Sequence, residues 1–179
     1  MVIELNQVRA NARRAYEGGR MRHALAIAAP LLALVGLTAW LQPRPTFVLV
    51  IGALLFVAGA VFLWRGQQLG RGALAGVLAG LVPLSLGVCV RLYQALCHDG
   101  MFMPGCVAAC AVGGIAAGAW IAHVAARRPA NLVFVASAVG LALLTGALGC
   151  SCAGPVGVTG MLVGLLVPVA PVMVRETLR

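Results

Sequence analysis

The sequence predicts an all-α membrane protein, a compact bundle of six transmembrane helices with short loops and both termini cytoplasmic. Three observations predict it. The chain is 62% hydrophobic and only 9% charged, with a mean hydropathy of +1.02, whereas soluble domains are about one-quarter charged. Six apolar runs each approach the roughly 20 residues that cross a hydrocarbon core. The basic residues fall almost wholly on alternate connections between those runs.

The spans fall near 24–41, 46–64, 73–95, 102–125, 130–149 and 156–174. They leave a cytoplasmic basic amphipathic segment at 1–22, a transmembrane domain over 23–175 and a short cytoplasmic tail at 176–179. No cleavable signal peptide is expected, because the first apolar run follows a long basic segment and no small-residue cleavage pattern comes after it. All 13 basic residues are arginine. Arg9, Arg13, Arg14, Arg20 and Arg22 precede span 1, Arg65 and Arg71 lie between spans 2 and 3, Arg127 and Arg128 between spans 4 and 5, and Arg175 and Arg179 follow span 6. Only Arg44 and Arg91 lie on the other side. Basic residues are retained on the cytoplasmic side, which in a bacterial inner (cytoplasmic) membrane puts the other connections outside. The net charge of +9 is then a topological signal, and no direct nucleic-acid partner is expected.

Within the segment 1–22, Leu5, Val8, Ala12 and Tyr16 make one apolar stripe at helical spacing. Glu17 lies one turn from Arg13 and Arg14. Gly18 and Gly19 are expected to end the pattern as a hinge. Such a helix either lies on anionic lipid headgroups or docks into the groove of a cytoplasmic partner. In the second reading Leu5, Val8 and Tyr16 form the contact face.

Inside the bundle, Gly72, Gly76 and Gly80 on span 3, Gly114 and Gly118 on span 4, and Gly160 and Gly164 on span 6 recur every fourth residue. Small residues at that spacing let helix backbones approach closely in lipid and leave little room for a wide pore. Pro30, Pro83, Pro168 and Pro171 are expected to interrupt or kink their helices. The four acidic residues, Glu4, Glu17, Asp99 and Glu176, all lie outside the middle of the spans. Ion-coupled transporters use buried ionisable relays, so their absence argues against that class.

The cysteines carry the chemistry. Cys89, Cys97, Cys106, Cys110, Cys150 and Cys152 all lie in or beside the two exterior connections after spans 3 and 5. Cys106 and Cys110 share one helix face, and Pro104 suits the first helical position. The first turn favours thiolate at Cys106. An i,i+4 pair in an intact helix is poorly placed for a mutual disulfide, but well placed to share a metal or to pair with other segments. Cys97 precedes His98, with Met101 and Met103 close after it, and Cys150 and Cys152 open the second exterior connection. The expected metal or redox site is Cys97, His98, Cys106, Cys110, Cys150 and Cys152, with Cys89, Met101 and Met103 as additional members. Its soft ligands suit Cu or Zn. Structural disulfides across the exterior loops and incidental cysteines are the other readings. No catalytic residue stands out, and no enzyme activity is expected.

With Cys106 opening span 4, Ala125, Ala126, Arg127, Arg128 and Pro129 before span 5, and Cys150 closing span 5, the chain resembles the six-helix membrane anti-sigma factors of the NrsF type. The resemblance covers roughly residues 20–175, mostly as hydropathy. The family usually has a His-Cys-Pro-like stretch after span 5; this chain reads Gly149, Cys150, Ser151, Cys152, Ala153, and its N-terminal segment is strongly basic. The resemblance implies a regulatory protein that sequesters a sigma factor on its cytoplasmic N-terminal segment and releases it when a metal or oxidant meets the exterior cysteines. A heavy-metal binding or transport protein, a membrane thiol–disulfide protein and a small subunit of a membrane complex are the rival classes. The mercury-importer form of the first lacks a cytoplasmic cysteine here, and the oxidoreductase form of the second lacks a CxxC pair.

Overall fold

The computed structural model describes residues 2–41, 45–96, 102–127, 131–150 and 154–177. Among them are six α-helices and no strand: α1 (Val2–Leu41), α2 (Pro45–Arg65), α3 (Gln67–Leu96), α4 (Phe102–Ala126), α5 (Leu132–Cys150) and α6 (Gly154–Thr177). All six are long and apolar enough to cross a membrane. In hydrocarbon each backbone N–H and C=O must find its partner within the chain, and a helix supplies that partner locally. The expected spans agree with these helices to within a few residues, except at the start of α1.

Helix α1 is 40 residues long, about 60 Å at 1.5 Å per residue and about twice the hydrocarbon thickness. It runs unbroken through Gly18 and Gly19, which corrects the expected hinge. A glycine costs a helix only about 1 kcal/mol against alanine, less than two turns of helical hydrogen bonding recover. Among the described side chains, the buried stripe of α1 starts at Ala24 and continues through Ala28, Leu31, Val35 and Thr38. These residues alternate four and three apart, the spacing of a helix seam. Gly52 of α2 lies against the Val35 side chain, and Gly59 against Leu31.

The prolines do not end their helices: α1 continues past Pro30, α3 past Pro83, and α6 past Pro168 and Pro171. Fully buried Pro83 is accommodated by glycines on two neighbours. A Cβ at Gly113 of α4 would come 2.7 Å from the Pro83 Cα, and one at Gly146 of α5 would come 2.9 Å from its Cγ.

Helix α5 is the centre of the bundle. Its span is 67% buried, against 22–39% for the others. The most extensive helix contacts join α3 to α5 and α4 to α6. On α3, Gly72, Gly76, Gly80 and Gly87 face Phe134, Ala138, Ala142 and Gly149 of α5. The two series advance in the same direction by the same steps, so α3 and α5 run parallel. Gly114 and Gly118 of α4 face the carbonyls of Met161 and Leu165 on α6, and Gly164 of α6 faces the Ala111 carbonyl in return. The glycines expected to let helices approach are those in contact.

Two of the described helix ends show their caps. Gly66, between α2 and α3, has a positive φ of 64°, and its N–H donates to the Phe62 carbonyl at 3.0 Å. The Arg20 guanidinium lies directly over Gly66, at the negative end of the α2 dipole, where a cation is favoured. Asn131 caps α5: its Oδ1 accepts the Phe134 N–H at 3.0 Å.

Candidate functional site

Helices α4, α5 and α6 meet at the bundle end opposite the start of α1. Cys150 is the last residue of α5. Cys110 lies about two turns into α4 and Met161 about two turns into α6. The three form one buried cluster, flanked by Leu143 and Val158. Cys110 is 1% exposed, and Cys150 and Met161 are fully buried. The Cys150 Sγ donates to the Met161 Sδ at 3.7 Å, and the Cys110 and Cys150 side chains are hydrogen-bonded to each other.

Glycines bring these sulfurs together. A Cβ at Gly146 would strike the Met161 Sδ, and one at Gly114 would strike the Met161 carbonyl. Met161 thus fits between α4 and α5 because both neighbours lack a side chain where it enters.

The structure distributes the expected site residues unevenly. Cys110 and Cys150, which lie beside two different connections at the same end of the bundle, come together. Cys106 is buried one turn before Cys110 on the same helix. Cys89 is exposed and outside the sulfur cluster. Cys97, His98, Met101, Cys152 and the side chain of Met103 lie outside the described residues. Among the described residues, no three His, Cys, Asp or Glu side chains are grouped to hold a metal ion. Met161 is the member that sequence reasoning missed. The signal available for it was its place between Gly160 and Gly164, on a stretch of α6 built for close approach.

At the other end of the bundle, Tyr16 on α1 is 68% exposed; the side chains of Leu5 and Val8 lie outside the described residues. No family model, curated protein or solved structure matches the chain. The likeness to the NrsF-type anti-sigma factors rests on the sequence features given above.

Proposed function

We infer that this chain is a regulatory sensor of the bacterial inner membrane. Its N-terminal helix holds a cytoplasmic protein, and its thiol cluster answers to a soft metal or an oxidant outside. The observation that carries this reading is the chemical difference between the two ends of one bundle. One end holds buried sulfur contributed by three helices. From the other, α1 extends well beyond the hydrocarbon as a basic helix with Tyr16 on its surface.

The arginine asymmetry supports placing that basic end in the cytoplasm. The resemblance supports a sigma factor as the partner, so the role is anti-sigma sequestration, with binding and release in place of catalysis. The contact between the Cys110 and Cys150 thiols favours one second reading, a membrane thiol–disulfide protein.

Deleting residues 2–17 tests the first reading. The shortened chain should still insert, lose its cytoplasmic partner on co-purification from membranes, and release transcription of the partner's genes. Recovery of no sigma factor with the full chain, together with unchanged transcription on deletion, overturns the anti-sigma reading.

A further inference from the structure

We propose that Cys110, Cys150 and Met161 form a site for one monovalent soft metal ion, Cu(I), held between α4, α5 and α6. The inference rests on the sensor reading and names the ligand to which its thiol end responds.

The ligand set selects the ion. Two thiols and a thioether are soft donors, and soft donors favour Cu(I). Zn(II) prefers four ligands in a tetrahedron, built from thiolate, imidazole and carboxylate. Here a thioether takes one of three positions, and no described group of three His, Cys, Asp or Glu residues completes a zinc-type set. A three-sulfur site suits an ion content with low coordination.

The spacing agrees. Metal–sulfur bonds of about 2.3 Å, opened at tetrahedral to trigonal angles, hold two sulfurs roughly 3.8–4.0 Å apart. The Cys150 Sγ and Met161 Sδ already stand 3.7 Å apart, and the Cys110 side chain is hydrogen-bonded to that of Cys150. The Cys150–Met161 separation is thus close to the one a bound ion would set.

Binding proceeds as proton exchange. When Cu(I) arrives, the S–H bond of each coordinating cysteine breaks, a Cu–S bond forms in its place, the proton leaves to water, and the copper oxidation state does not change. The thioether adds a neutral donor.

Such an ion would bridge three helices that already meet there through glycine contacts and sulfur hydrogen bonds. α4 and α6 are already a tight pair, and Cys150 at the end of α5 is the third point. Occupancy would therefore fix the end of α5 against the α4–α6 pair.

The test uses the full chain, purified anaerobically and fully reduced in mild detergent, titrated with Cu(I) against a chromogenic Cu(I) chelator. The wild type should take up about one Cu(I) per chain, with an X-ray absorption edge and shell showing sulfur ligands only. Met161→Leu keeps the packing volume and should weaken binding by roughly tenfold or more. Cys110→Ser and Cys150→Ser should abolish it, and Cys89→Ser should leave it unchanged. Binding that survives Met161→Leu and Cys110→Ser but is lost in Cys97→Ser, Cys106→Ser or Cys152→Ser overturns the site, as does Zn(II) outcompeting Cu(I). Copper uptake at this site with no change in partner binding upholds the site and overturns the sensor reading. Partner release by an oxidant, with no copper uptake, does the reverse.

Discussion

Gly76 of α3 meets the backbone of Ala138 on α5 with no space for a side chain between them: a Cβ there would strike the Ala138 carbonyl oxygen and lie 2.9 Å from its Cα. Both are backbone atoms of the central helix, so neither can move without shifting α5. Gly76→Ala should therefore destabilise the bundle by about 1–3 kcal/mol, the range for overpacking a tight contact. Gly140→Ala, on α5 itself, places its methyl where nothing lies within 4 Å. It should be neutral, or stabilising by up to about 1 kcal/mol through helix propensity. Reversible unfolding in detergent compares the two, and equal effects would refute the close α3–α5 pairing.

Thr145 gives a prediction of the opposite sign. Its Oγ1 is buried without a hydrogen-bond partner, and its Cβ faces Gly80 of α3. Thr145→Val keeps the branched shape and removes the unsatisfied hydroxyl, so stability should rise by about 1 kcal/mol. Ser137, two turns earlier, donates to the Phe134 carbonyl at 2.9 Å. Ser137→Ala gives up that bond and should lower stability by roughly 0.5–1 kcal/mol. The same unfolding measurement reads both, and a loss on Thr145→Val would show that the hydroxyl has a partner.

The arginine asymmetry predicts the sidedness of every connection. Reporter domains fused after Asp99 and after Pro155 should report from the exterior, and one fused after Pro129 from the cytoplasm. An exterior signal at Pro129 would invert the molecule and put Cys110, Cys150 and Met161 at its cytoplasmic end.

The helices were legible because lipid demands long apolar runs, and the glycine faces of α3, α4 and α6 because small residues at every fourth position have few other uses. The central place of α5 was not. In lipid both faces of a helix are apolar, so burial leaves little amphipathic trace: Leu132 and Val133 are exposed while Val135 and Leu141 are buried. The partner face of α5 is small but mixed (Ser137, Ala138, Ala142, Gly149), and mixed small residues escape a search for repeated glycine.

The site was half legible for a related reason. One-sided clustering singled out Cys110 and Cys150, which the structure joins. Met161 looked like any methionine in an apolar helix, whereas Met101 and Met103 drew attention by lying near Cys97 in the chain. Proximity along the sequence was the weaker guide, because α4 and α6 meet only after α5 has been inserted between their sequence positions.

The parallel pairing of alternate helices has a consequence for biogenesis. Hairpins leave the translocon in the order of synthesis, but Gly72, Gly76, Gly80 and Gly87 of α3 meet their partners only in α5, and Gly114 and Gly118 of α4 meet theirs only in α6. A nascent chain halted after α4 would sit in the bilayer with those two glycine series still lacking their partners. Completion is therefore a late step, and the three sulfurs come together only once the last helix has been delivered.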